Sequence, residues 1–424
     1  MVARIKDILN SVHKKGFFYL FLANILVGVI GFCSQFFVAI FLDPVDIGRV
    51  KIFQTYIQIF SLIGGLGLST SVLKICSERR TKEEIKNFFS VAFFLALIGN
   101  IFVTGIVAVL AAFNLLSTDT VLNSYLLTYS SVSIFFSLNA LIVAYIQSQK
   151  KLKPLAFLMV ITKSILLIGL IFLTKFYLLE GYFAGLWLGM FVAISILIFF
   201  VRKDIVRISS NIKSYYKEHF RYSFFSLGAN LSSILATKID ILMINFFVND
   251  KVAIGYYSFA AIIIMGLSLY SASVQQFVTP YFSEKSSDKV ALYAAVNKAE
   301  KIQVFTTTVL VFVLCIALPL GLSLLFNQRF DSSTPYLIPL LIAWGIRNLF
   351  IVRSVAFLGM GKMHINFYLS LFLLGFGSLL SFFVLREVGI QGIAYAIICV
   401  NFMGWFLSFY IFNRIKKREL CKAK

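Results

Sequence analysis

The sequence predicts an all-α membrane protein of twelve transmembrane helices, built as two six-helix lobes that an internal parallel repeat relates, with a central cavity between the lobes. Composition is the first support: 60% of the 424 residues are hydrophobic and 13% are charged, with a mean hydropathy of +0.91. Soluble domains are about one quarter charged. The apolar residues also form runs long enough for a bilayer core, which needs about 18 residues or more. Finally, the two halves of the chain repeat short motifs in the same order.

Each predicted span is an apolar run bounded by Gly, Pro, Asn, Asp or a charged residue. The first run follows a basic opening, but it is too long for a signal peptide and lacks a small-residue cleavage site, so we expect it to be retained. Apolar residues at helical spacing predict that residues 4–13 lie along the membrane surface. The twelve spans are expected at about 17–41, 52–74, 87–113, 123–148, 154–174, 182–201, 222–248, 254–280, 302–326, 335–358, 365–385 and 389–412.

The distribution of basic residues orients these spans. With the N-terminus inside, the cytoplasmic segments hold 29 of the 39 Lys and Arg residues, the opposite side holds six, and four fall within spans. This asymmetry is the positive-inside pattern and predicts that both termini are cytoplasmic. It also accounts for the net charge of +21 without a nucleic-acid partner.

The internal repeat divides the chain. The segments FLDPVDIGRVKIF after span 1 and FFVNDKVAIGYYSF after span 7 share a Phe, an Asx residue and an Ile-Gly pair, which aligns Gly48 with Gly255. In three further motif pairs, the two members are also separated by roughly half the length of the chain. They align Glu78 with Glu284, Lys150 with Lys362, and Gly181 with Gly392. We expect an N-terminal lobe at 1–201, a basic linker at 202–221 along the membrane surface, a C-terminal lobe at 222–413 and a basic tail at 414–424.

Charged residues inside the spans indicate a functional site. They are Lys163, Lys238, Asp240, Arg347 and Arg353. Each costs about 2.5–3.5 kcal/mol at a helix centre on insertion scales, so such residues usually face a protein interior or a wet cavity. Their excess of positive charge suits an anionic cargo, and the fork of an arginine suits phosphate. For Lys163 and Arg353, snorkelling to the cytoplasmic edge or structural pairing is the alternative.

The stretch SSILATKIDILMINFFV, residues 232–248, carries two of these charges. Lys238 and Asp240 are two residues apart and point about 200° from each other on a helix. We therefore expect Lys238 to face the cavity and Asp240 to pair with a basic or polar group of a neighbouring helix, Arg347 being a candidate. The alternative role for Asp240 is a proton-coupling site within the cavity.

Several functional classes lack their signatures. The sequence contains no GxxxxGK[ST] motif for nucleotide hydrolysis and no CxxC motif, and its three histidines are scattered. We expect no metal, no cofactor and no disulfide. Polymerases and ligases of lipid-linked sugars usually have a long outer loop, and the outer loops here are short, so the protein is not expected to be an enzyme.

The whole chain resembles the polysaccharide flippases of the multidrug/oligosaccharidyl-lipid/polysaccharide exporter superfamily, and most closely the bacterial O-antigen (Wzx-type) flippases. The resemblance rests on the two six-span lobes, on the Ile-Gly motifs after spans 1 and 7, and on KIDILMI at 238–244, which is similar to a span-7 pattern of the family. That family pattern often has Arg after the Asp, whereas Ile241 follows here.

The resemblance implies a flippase that moves an undecaprenyl-pyrophosphate-linked oligosaccharide across the bacterial inner membrane by alternating access. The family's cavity is cationic, and that role would fall on Lys238, Arg347, Arg353 and Lys163. Arg49 and Lys51 would gate or steer at the outer mouth. The substrate and membrane lipids are the expected partners of a monomer, with a polysaccharide polymerase and a chain-length regulator as further candidates.

Three alternatives stay open at this point. An ion-coupled multidrug exporter of the same superfamily would share the fold, although it would more naturally bury an excess of carboxylates. A membrane glycosyltransferase or ligase would need the outer loop that is missing. A flippase of the peptidoglycan precursor would commonly carry additional spans.

Overall fold

The computed structural model describes residues 17–78, 80–206, 212–284, 288–326 and 328–423. These residues form α-helices, one 3-10 turn at Asp331–Ser333 and no strand, which confirms the predicted all-α class. The α-helices are α1 Phe17–Phe41, α2 Pro44–Gly64, α3 Leu68–Ile75, α4 Lys82–Ala112, α5 Thr120–Tyr129, α6 Val132–Ser148, α7 Leu152–Val201, α8 Ile212–Phe247, α9 Lys251–Glu284, α10 Lys289–Leu325, α11 Thr334–Gly359, α12 Met363–Val388 and α13 Ile390–Ala423.

The described helices make this a multi-pass membrane protein. Within the described ranges, nine helices are long and apolar enough to cross a bilayer, or up to eleven if each of two bent pairs is one crossing. Both bends, between α2 and α3 and between α5 and α6, are 51°. The expected number of twelve crossings and the two-lobe repeat stay predictions, and the surface helix expected at 4–13 lies outside the described residues.

Helix α7 is a hairpin of two arms. Its 50 residues would extend about 75 Å if straight, more than twice the thickness of a hydrocarbon core. The helical dihedral angles are interrupted at Leu178, where φ is +49°. The arms then pack so closely that a Cβ on Gly181 would lie 2.0 Å from the Leu173 carbonyl oxygen. Glycine is therefore required where the second arm leaves the turn.

The residues cluster into two compact units. The first comprises the described residues of Met1–Leu42 and Phe53–Leu231, and the second those of Asp43–Ile52 and Ser232–Lys424. The first turns of α2 thus belong to the second unit, and the first turns of α8 belong to the first. Part of the predicted linker, residues 212–221, is continuous with α8, while residues 207–211 lie outside the described part.

In the first unit, some buried polar groups are matched by neutral partners. Gln54 donates to the Gln35 Oε1 at 2.8 Å and to the Tyr182 hydroxyl at 2.6 Å. Helix α4 begins with a capping box, in which the Thr81 side chain accepts from the Glu84 backbone N–H and the Glu84 carboxylate accepts from the Thr81 N–H. The hydrogen bonds of Gln54 satisfy polar groups that the hydrocarbon layer leaves without water, whereas Thr81 and Glu84 of the capping box are exposed.

In the second unit, the repeated Ile-Gly motifs meet each other. A Cβ on Gly48 of α2 would lie 3.3 Å from the Gly255 backbone nitrogen of α9. A Cβ on Gly255 would lie 1.9 Å from the Pro44 carbonyl oxygen. Two glycines allow the first turns of α2 and α9 to cross at backbone contact, as small residues do in membrane helix pairs. The loop before α2 is held further by an ion pair between Asp43 and Arg329.

The glycine crossing predicts a stability defect. Gly255→Ala places a methyl group where backbone atoms of Pro44 lie, so the helices must separate, and we expect a loss of about 1–3 kcal/mol of folding free energy. The measurement is the melting temperature of the purified protein in detergent. The control is Gly375→Ala in α12, where an added Cβ meets no atom within 4 Å. Equal melting temperatures for the two variants would contradict the packing argument.

Candidate functional site

A cavity of about 770 Å³ lies within the second unit. Residues of α8, α9, α11, α12 and α13 line it, together with Lys51 from the first turns of α2. Its only charged lining residues among the described part of the chain are Lys51, Lys238, Asp240 and Arg347. Three formal positive charges and one negative charge give the lining a formal net charge of +2.

Helix α8 presents both of its charged residues to the cavity. Lys238 and Asp240 are half-buried, and the cavity contacts the helix continuously from Ala236 to Ile241. A lining of more than one turn reaches most faces of a helix, so the angular separation of about 200° does not keep these side chains in different surroundings. The expectation that only Lys238 would face a cavity overlooked this width.

Asp240 is held by a tyrosine on the neighbouring helix. The Tyr257 hydroxyl of α9 donates to Asp240 Oδ2 at 2.6 Å, and the Tyr257 side chain is fully buried. The hydrogen-bond partner is therefore a neutral polar group; the sequence analysis expected a basic or polar group of a neighbouring helix, with Arg347 as a candidate. The reason is the hairpin between α8 and α9: Asp240 lies seven residues before the last residue of α8, and Tyr257 lies six after the first residue of α9. Residues equally far from a tight turn lie side by side in antiparallel helices.

Lys51 belongs to the group of four charged residues that line the cavity. Its side chain is 3% exposed and is in electrostatic range of both Lys238 and Asp240. Lys238 in turn is in range of Asp240 and Arg347. The sequence predicted an outer-mouth position for Lys51 together with Arg49. The structure places Lys51 at the cavity, whereas Arg49 pairs with Asp46 of its own helix at 2.9 Å and does not line the cavity; the outer-mouth position stays a prediction.

Arg347 projects from α11 into the cavity and is exposed to it. Trp344 lies one helical turn before it and lines the same space. The Trp344 Nε1–H is buried and has no hydrogen-bond acceptor among the described residues.

Arg353 lies six residues further along α11 but does not line the cavity. Its guanidinium forms an ion pair with Glu300 of α10, lies over the Phe409 ring at 4.8 Å and is 3% exposed. This is the structural pairing that the sequence left open as its alternative. Lys163, the remaining candidate, is half-buried in α7 of the first unit and does not line this cavity.

Sequence reasoning considered only charged residues and so missed the neutral polar lining. Gln275, Asn366 and Asn401 line the cavity from three different helices. Carboxamides within apolar runs can hydrogen-bond across membrane helices, so these residues were also candidates from the sequence. The described residues contain no cluster of three His, Cys, Asp or Glu side chains able to hold a metal ion. Cys33, Cys76, Cys315 and Cys399 are free thiols.

Comparison with known proteins connects this architecture to a family and to a fold. A sequence model of the family described as "Polysaccharide biosynthesis protein" matches residues 13–286. No curated protein sequence matches the chain.

Three solved structures are similar at 16% sequence identity each. A lipid II flippase MurJ in an inward closed conformation has a TM-score of 0.78 and covers 95% of this chain and 90% of its own. An inward-facing multidrug resistance MATE transporter of the MOP superfamily has a TM-score of 0.72, with coverages of 94% and 95%. A MOP superfamily transporter from Pyrococcus furiosus, described as having a binding pocket of reverse polarity, has a TM-score of 0.63, with 95% of both chains covered. These likenesses establish the fold.

The Arg353–Glu300 pair predicts a structural phenotype. Glu300→Gln leaves the Arg353 charge buried without its counter-ion, which costs about 3–5 kcal/mol of folding free energy. The double variant Arg353→Met with Glu300→Gln removes both charges and should recover most of that loss. Thermal stability in detergent tests this. A double variant no more stable than Glu300→Gln would mean that Arg353 has another role than pairing.

Proposed function

The chain belongs to the polysaccharide biosynthesis protein family, and from this premise we propose that it is a flippase for a lipid-linked oligosaccharide. The transported molecule is an oligosaccharide joined through a diphosphate to a polyprenyl chain such as undecaprenol. The protein moves it from the cytoplasmic to the outer leaflet of a bacterial inner membrane, with both termini in the cytoplasm. O-antigen or a related polysaccharide repeat unit is the expected cargo.

The charge of the cavity is the observation that carries this proposal. A diphosphate esterified at both ends keeps one ionised oxygen on each phosphorus and so bears two negative charges. The cavity lining has a formal net charge of +2, from Lys51, Lys238, Arg347 and Asp240. Guest and lining neutralise each other, which lowers the cost of moving the diphosphate through the hydrocarbon layer.

We assign different roles in binding to the three cations. Arg347 is exposed in the cavity and offers a planar fork that can donate two parallel hydrogen bonds to a phosphate. Lys51 and Lys238 are compact charges that add attraction without fixing orientation. The carboxamides and hydroxyls of the lining suit the sugar hydroxyls beside the diphosphate. The same excess of positive charge disfavours the cationic drugs of a multidrug exporter.

The leaflet to which the cargo is delivered indicates which enzymes act after this protein. A flippase delivers its cargo to the outer leaflet, so an enzyme acting there must consume it, and a polysaccharide polymerase with its chain-length regulator fits that place. The chain itself carries out no bond-making or bond-breaking step in this scheme. Its work is differential binding of one cargo on the two sides of the membrane.

Arg347 provides the central test. Arg347→Ala should abolish complementation of a flippase-null strain at matched expression, since charge-assisted hydrogen bonds contribute about 1.5–3 kcal/mol each. Arg347→Lys should restore activity only partly, because a point charge replaces a fork. Lys238→Ala should impair transport with expression intact. The matched control is Arg386→Ala, which removes an exposed arginine at the end of α12. Normal complementation by Arg347→Ala would refute the diphosphate site.

Lys51 and Arg49 are basic residues of the same helix, α2, and so allow a controlled comparison of two variants. Lys51 lines the cavity and Arg49 does not, so Lys51→Ala should reduce flipping at least tenfold while Arg49→Ala retains most of it. The assay is transfer of a fluorescent polyprenyl-diphosphate-linked sugar between leaflets of proteoliposomes. If the two variants lose activity equally, the pair acts together at the outer mouth, as the sequence alone suggested.

A further inference from the structure

Asp240 is the one acidic residue in the described lining of the cavity. It lies among groups that must attract the diphosphate, although its charge repels a phosphate. Carboxylates within transmembrane segments are costly, and a purely cationic site would not need one. Its presence beside Lys51 and Lys238 therefore calls for a function.

The carboxylate is fixed in place by a neutral donor. Tyr257 is fully buried, and its hydroxyl donates to Asp240 Oδ2 at 2.6 Å. The Tyr257 ring packs edge-on against Tyr336 of α11, with centroids 5.9 Å apart. Two helices thus hold the tyrosine, and the tyrosine holds the carboxylate, so Asp240 cannot move away freely when a guest enters.

The neighbouring cations need a counter-ion in the empty cavity. Lys51 and Lys238 repel each other, as do Lys238 and Arg347, and Asp240 is in electrostatic range of both lysines. Without a guest, Asp240 offsets part of this repulsion. With a diphosphate bound, the same carboxylate repels the guest, because both carry negative charge.

We propose that Asp240 is an internal competitor of the diphosphate, a fixed counter-ion that weakens binding of the cargo and so allows its release. This inference rests on the flippase function proposed above and deepens it. Asp240 sets the formal charge of the lining at +2 instead of +3 and thereby matches it to a diphosphate diester. A cavity of three cations alone would bind the cargo more tightly and retain it.

The test compares binding with turnover. Binding of inorganic pyrophosphate to the purified full-length protein is measured by calorimetry, and flipping is measured in proteoliposomes with a fluorescent polyprenyl-diphosphate-linked sugar. Asp240→Asn should lower the Kd for pyrophosphate at least tenfold and slow flipping at saturating cargo. Asp240→Glu, which keeps the charge, should shift the Kd less than Asp240→Asn does. The control Glu387→Gln removes an equal charge from an exposed site outside the cavity.

A second variant acts in the opposite direction. Tyr257→Phe removes the donor to Asp240 but keeps the carboxylate, which then interacts more strongly with the lysines, so the Kd for pyrophosphate should rise severalfold. Opposite shifts in the two variants are not expected from general loss of structure. If Asp240→Asn fails to fold, the Tyr257→Phe measurement decides: a raised Kd supports the competitor, and an unchanged or lowered Kd overturns it.

Other outcomes separate this inference from the function on which it rests. If the unaltered protein does not bind pyrophosphate at all, the diphosphate site of the proposed function fails. If it binds, and Asp240→Asn leaves the Kd unchanged or raises it, only the competitor is refuted. Loss of the dependence of flipping on a pH gradient in Asp240→Asn, with an unchanged Kd, would assign Asp240 to proton coupling and also refute the competitor.

Discussion

A charge in the hydrocarbon layer must have an opposite charge or a wet cavity, and the organisation of the second unit depends on this constraint. Helix α11 shows both solutions on one element. Arg353 is buried against Glu300 and an aromatic ring. Arg347, six residues earlier and about 120° around the helix, projects into the cavity. The first arginine holds the helices together, and the second is available to a guest.

Polar clusters in the described part of the chain differ in how far their charges are compensated. Gln54 of the first unit forms a neutral cluster with Gln35 and Tyr182, which is satisfied within the protein. The cavity lining of the second unit has three cations and one carboxylate, a formal net charge of +2. A fully compensated cluster is a structural element, since nothing remains for a ligand to neutralise. A cluster with an excess charge is stable only with water or an anion, and this is the basis for proposing the cavity as a binding site.

Hydropathy predicted much of the helical architecture because each crossing needs a long apolar run, and such runs are visible in a single sequence. Helix α1 ends where its apolar run does. The Ile-Gly repeat also marked real packing, since Gly48 and Gly255 touch. The bend between α2 and α3, with positive φ at Leu66 and Gly67, was not predictable in the same way. A bend within an apolar run leaves hydropathy unchanged.

The candidate site was harder to predict for a related reason, which Lys51 illustrates. A hydropathy window begins a span where charges end, so it began the second span at residue 52 and left Lys51 outside. The helix itself begins at Pro44, because Pro is favoured in the first turn and the backbone contact at Gly48 holds that turn against α9. Lys51 therefore lies about 10 Å along the helix, at the cavity wall. Tyr257 was missed because a tyrosine near a span end is typical of an interfacial belt. Segmentation by apolarity thus left a cavity-lining residue outside its span, whereas a helix start defined by proline and glycine includes it.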